Sequence, residues 1–229
     1  MPSEVFYKWL TPNRTTTYTC VRWPVRARQW TPPEPPKRCK SGWHLATLAG
    51  LSKHLPTKFP AVLWTAEGRG ATDSAIDKVA FESARILAPV GTLTERTAHA
   101  LACDFAEHVL WIWEARYPGD DRPRVAIETK RRWLAGEASD EERYAAYTAA
   151  YTVAYAPIAD AAGAYAAAAE AADTAAYAAA DAAGAYADTA AYAAADAAGA
   201  YAAAADAATA AAAAEREWQG RRILEVLGG

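Results

Sequence analysis

Residues 144–214 form a tract that few structures other than helix can accommodate: alanine fills 44 of its 71 positions, with seven acids and no Lys or Arg. Alanine has the highest helix propensity and loses no side-chain rotamer entropy on packing. A period of 15 residues is explicit, because TAAYAAADAAGAYAD at 174–188 recurs as TAAYAAADAAGAYAA at 189–203, and a partial copy, ADAAGAYA, starts at Ala159. Fifteen residues over four turns is about 3.75 per turn, so a continuous packing seam drifts in the right-handed sense. Alanine offers little apolar area, roughly 0.8 kcal/mol for each buried methylene-sized group. Tyrosines and close backbone approach must supply the rest, and Gly163, Gly184 and Gly199 read as close-contact points or as hinges between shorter helices. One unbroken rod from Ala159 would exceed about 80 Å and leave Tyr165, Tyr177, Tyr186, Tyr192 and Tyr201 largely unburied. The expectation is a hairpin or bundle.

The rest of the chain is of another kind. Of the formal charge of −3 over 229 residues, the tract carries −7 and the segment after Ala214 balances three acids with three arginines, which leaves +4 on Met1 to Arg143. Eight of the nine tryptophans and all three cysteines also lie there, enough apolar material for a core. Val5 to Leu10 and Tyr18 to Val25 are rich in β-branched and aromatic residues and read as strands. Thr31 to Pro36, with four prolines, reads as an exposed polyproline-like connection. A short helical pattern runs from Thr47 to Leu55, and Val62 to Gly68 and Lys78 to Ala88 alternate as two further strands. Thr92-Leu93-Thr94-Glu95 has the form of a capping box opening a helix to about Tyr117, with Leu101, Phe105, Val109, Ile112 and Trp113 at helical spacing. A second helix starts near Pro123 and closes at Gly136, and Ser139-Asp140-Glu141-Glu142 repeats the box before the tract. The fold class is α+β. A small N-terminal β-sheet domain with a short helix (1–90) precedes a helix pair (91–143) and an alanine-rich α-helical bundle with a C-terminal cap (144–229).

Neither a secretory pattern nor a membrane span is visible, since MPSEVFYKWL carries early charges and Tyr144 to Ala159 is too short. The expected location is the cytoplasm, with reduced thiols, because three irregularly spaced cysteines make a poor disulfide framework. The small net charge argues against general nucleic-acid binding. Cys39 and His44, with Cys20 nearby, are the residue types zinc prefers, yet four ligands at regular spacing are missing, and a buried thiol beside a backbone-bonded histidine is the commoner arrangement. His99 and Cys103 share a helix face, but a thiolate–imidazole pair also needs an orienting group and an oxyanion hole, so Cys103 reads as a small core residue. Asp120, Asp121, Arg122 and Arg124 form the densest charged turn. They read as capping the second helix and pairing with acids on the first, rather than presenting forks to a partner. No catalytic residue, metal or cofactor is expected. Binding is expected on Tyr177, Tyr186, Tyr192 and Tyr201, large rings set among short neighbours.

Two stretches carry resemblances. Leu101 to Glu137, above all Arg116-Tyr117-Pro118-Gly119-Asp120-Asp121-Arg122-Pro123-Arg124, followed by the alanine repeat and Trp218-Gln219-x-x-Arg222-x-Leu224, resembles a family of immunity proteins associated with bacterial toxin systems. The head, with Tyr7-Lys8-Trp9-Leu10, Arg22-Trp23-Pro24 and Cys39-x-x-Gly42-x-His44, is similar to an uncharacterised small domain of actinobacterial and phage proteins. These resemblances imply a non-catalytic protein-binding module that neutralises a toxin or takes part in phage–host conflict. The alternative is a structural, self-associating helical protein; a cysteine- or metal-dependent enzyme is the third reading.

Overall fold

The computed structural model describes residues 5–17, 19, 21–24, 26–154, 181, 189–203 and 208–228. The fold is α+β: strands β1 (Phe6–Leu10), β2 (Trp43–Ala46), β3 (Ala61–Ser74) and β4 (Lys78–Leu93) precede helices α1 (Glu95–Arg116), α2 (Arg122–Ala135), α3 (Asp140–Ala154), α4 (Thr189–Ala203) and α5 (Ala208–Gly228). Two compact units emerge, one of Met1–Glu95 with Arg216–Gly229 and one of Arg96–Glu215. The expected alanine-rich domain of 144–229 therefore differs at its end, because the last turns of α5 belong with the strands. Two glycines account for this. A Cβ on Gly220 would lie 2.3 Å from the Leu48 carbonyl oxygen, and one on Gly91 2.2 Å from that of Leu227, so helix and barrel approach at backbone distance.

The first unit is a closed antiparallel barrel in the order β1-β2-β4-β3. Its core gathers Phe6, Leu10, Trp23, Leu45, Ala66, Val79, Phe81, Ala84 and Ile86, with Trp43 and Trp64 packed against it. β3 and β4 make a hairpin far longer than the alternation predicts. β4 passes through Pro89, which sits opposite Trp64 at a register irregularity where a missing amide is tolerated. Strand also continues through Thr92 and Leu93, so the anticipated capping box is not formed there.

Among the described residues of Tyr18 to Val25, the expected strand does not form. Trp23, 2% exposed, plugs the barrel, and the segment is fastened by an isolated bridge between Thr15 and Arg22 with Arg14 at φ 57°. The proline-rich connection does more than cross solvent. The Arg28, Thr31 and Glu34 amides donate to Ile86, Ala84 and Glu82 carbonyls, which covers the edge of β4 beyond the short β2. The expected helix at Thr47 to Leu55 shrinks to one 3₁₀ turn, Leu48–Gly50, capped by the Thr47 hydroxyl.

In the second unit, Leu101, Phe105, Val109, Ile112 and Trp113 on α1 are all buried. Gly136 ends α2 at φ 80°. Ser139 and Glu142 form the reciprocal box, each accepting the other's amide at 3.2 and 2.8 Å. α4 runs unbroken through Gly199, while Gly163, Gly184, and the choice between rod and hairpin fall outside the described residues. No described helix is long and apolar enough to cross a membrane.

Candidate functional site

β1 alternates with a period of two, so Phe6, Lys8 and Leu10 share one face. That face is the barrel's core face, and a lysine occupies its middle position. Lys8 Nζ donates to the His44 carbonyl at 2.8 Å and lies 5.4 Å from the Trp23 ring centroid, so a hydrogen bond and a cation–π contact meet its charge in part. Trp23 in turn stands edge-on to Trp43 at 5.2 Å. Around these groups lies a cavity of about 550 Å³, within the range of small-molecule and peptide side-chain sites. Tyr7, Lys8 and Trp9 of β1, Trp43 and His44 of β2, Lys78 at the start of β4 and Glu34 of the proline-rich segment contribute to its walls.

The cavity exists because β1 and β2 hardly pair. Tyr7 and Ala46 are their one pair of Cα partners, whereas β1 matches β3 over five. β2 is only four residues long and is held to β4 along its whole length, so its opposite side faces the gap. Gly42, at φ 80°, makes the turn that brings Trp43 and His44 into β2; a Cβ there would meet Pro36 Cα at 2.8 Å.

The electrostatics are those of a cationic hollow. Desolvation, and then the Lys78 charge, bring the Lys8 pKa down to about 8. Desolvation followed by Lys8 and Lys78 also lowers His44, against the opposing pull of the Gly42 backbone bond and Glu34. Burial raises the Tyr7 phenol. Among the described residues, no ion pair involves Lys8 or Lys78, and the buried indole N–H of Trp9 has no hydrogen-bond partner. Beside the hollow, Asp77 binds Lys53 and His54, each at 3.0 Å, and these partners outweigh the burial that would raise its carboxyl, so its pKa is lowered.

The residues singled out from sequence fall elsewhere or are otherwise engaged. His44 Nε2 accepts the Cys39 amide at 3.0 Å, so the lone pair a metal would need is committed to the backbone. Cys39 is exposed at φ 61°, and Cys20 lies outside the described residues. Among the described residues no group of three or more His, Cys, Asp and Glu is placed to hold a metal ion. His99 is buried, and desolvation with the Lys130 and Arg143 charges brings its pKa down to about 4; desolvation pushes the Cys103 thiol up to about 12. This pair is a neutral imidazole and a neutral thiol, the reverse of what a nucleophile requires.

In the charged turn, Asp120 Oδ1 accepts the Arg122 amide at 3.3 Å and its Nε at 2.8 Å, and Arg124 Nε donates to Glu114 of α1 at 2.7 Å. Asp121 stands at the N-cap of α2 without a side-chain cap bond, so Asp120 meets the amide there instead. Tyr192 is 57% exposed on α4. Tyr177, Tyr186 and the side chain of Tyr201 lie outside the described residues. The sequence reading passed over Lys8 and Lys78. The one signal for Lys8 was a charged residue on the apolar phase of an otherwise aromatic strand. No family model, curated protein or solved structure matches this chain.

Proposed function

We propose that the chain is a non-catalytic binding protein of the cytoplasm and that the barrel cavity receives a segment of a protein partner. The observation that carries this is the pair of lysines without an ion pair, set against an aromatic wall in a ready-made hollow. It is supported by the state of the groups that would do chemistry: a protonated thiol, a neutral buried imidazole and a histidine bonded to the backbone. The resemblance of 101–137 extends the proposal to toxin neutralisation, with exposed tyrosines such as Tyr144 and Tyr192 as secondary contacts.

Co-expression with the product of the neighbouring gene tests it. Growth should be protected by the wild type and by a folded variant carrying Cys20→Ser, Cys39→Ser and Cys103→Ala. Protection should be lost with Val21→Trp, which places an indole in the wall of the cavity from an exposed position. A harmless neighbour overturns the toxin-neutralising reading. Turnover of a substrate by the wild type, abolished in the cysteine-free variant, overturns the binding reading altogether.

Self-association is a second reading, favoured by the division of charge. The barrel unit holds sixteen Lys and Arg against nine Asp and Glu, and the helical unit eight against eighteen, giving +7 and −10. Opposite units on two copies attract, and this attraction weakens with salt. Sedimentation at rising ionic strength should show dissociation if this reading holds.

A further inference from the structure

We infer that the gap between β1 and β2 takes an extended acidic peptide, its carboxylate seated between Lys8 and Lys78. This rests on the binding role proposed above and names the chemistry of the segment received. The barrel closes there through the single pair Tyr7 and Ala46, and the Lys8 side chain reaches across the gap to donate to the His44 carbonyl. An added strand supplies both amides and carbonyls to such a gap, and its side chains enter the flanking pockets at alternate positions.

Charge selects the acid. Two cations close enough to depress one of them are relieved by an anion, and among the described residues no ion pair already does so. Trp23 and Trp43 give the aliphatic stem of a Glu side chain an apolar wall. A nucleic-acid strand satisfies the lysines, yet its phosphodiester backbone lacks the donors that strand carbonyls require. The carboxylate can come from a side chain or from a chain terminus, and the test separates the two.

The full chain is titrated into fluorescein-labelled Gly-Thr-Val-Glu-Val-Thr-Ala-Gly blocked at both ends, and into its Gln counterpart, once blocked and once with a free C-terminal carboxylate. A labelled oligothymidine of eight nucleotides completes the set, and anisotropy reads binding. At least one carboxylate-bearing peptide should bind about tenfold or more tighter than the blocked Gln peptide. Which one does so identifies the source. Lys78→Gln and Lys8→Met should each weaken that peptide by about tenfold or more, while Lys58→Gln, an exposed site outside the cavity, should change it less than about twofold.

Thermal melts identify a Lys8→Met chain that fails to fold, and Lys78→Gln then decides. The inference is overturned if no peptide binds, if the blocked Gln peptide binds equally, if Lys58→Gln weakens binding as much as Lys78→Gln, or if the oligothymidine binds tighter than both acidic peptides. Protection of growth in the co-expression assay alongside negative peptide titrations would remove this inference and leave the binding role standing.

Discussion

A lysine on the inward face of a small barrel lowers stability unless something meets its charge. Lys8 keeps its proton to about pH 10.4 in an unfolded chain, but only to about 8 in the barrel. Between those values the unfolded state binds more protons, so the contribution of Lys8 to stability rises with pH through that window. The groups around it are Lys78, Lys40, His44, His54, Glu34, Cys39 and Tyr7. Raised Tyr7 and Cys103 act in the opposite direction at alkaline pH, which makes the difference between wild type and Lys8→Met the quantity to follow. Melting temperatures of the two should diverge in favour of the wild type from pH 7 to 10; a constant difference would contradict the desolvated lysine. At the same scale the cysteines separate. Iodoacetamide at pH 8 should label exposed Cys39 and spare Cys103, whose pKa is pushed up to about 12, as read by peptide mass spectrometry. The core status of Cys103 was legible from its helical phase. The backbone bond of His44 was legible too, but Cys39, read as a buried thiol, is exposed, because its position depends on a turn rather than on a strand.

Among the elements, glycine substitutions distinguish close approach from backbone conformation. Gly220 sits inside α5, where alanine ordinarily gains about 1 kcal/mol; with the Leu48 oxygen 2.3 Å from the new Cβ, Gly220→Ala should destabilise instead. Gly50→Ala should cost about 3 kcal/mol or more by overpacking, since the Asp77 oxygen lies 1.8 Å from that Cβ. Gly136→Ala meets no atom within 4 Å and should lose only about 1–2 kcal/mol for its positive φ. Urea melts rank the three. Much at this scale could be read in advance. The stripe of α1, the Gly136 stop and the Ser139 box are set by residues within a few positions of one another. What escaped depends on distant partners. Tyr18 to Val25 has strand composition, yet Trp23 is worth more to the core than a ladder would be, and β2 pairs only because β4 lies beside it.

For the whole molecule, the return to the first unit at Arg216 was hidden because no local pattern marks a helix that begins in one unit and ends in another. A fragment of 1–95 should melt well below the same fragment joined to 216–229 through a flexible linker. Equal melting would show that the barrel stands without the helix. The sign of the charge division was legible, as +4 on residues 1–143 against −7 on the tract, and the unit boundaries enlarge it to +7 and −10.

The return of Arg216–Gly229 to the strands has a consequence for how the protein is made. The ribosome delivers all four strands, then adds the 120 residues of the helical unit before releasing the segment that lies against Gly91 and Leu48. At roughly 5–20 residues per second this is a delay of about 6–24 s. During that interval the nascent barrel lacks the helix whose backbone packs at Gly91 and Leu48, so that flank stays bare until the segment emerges.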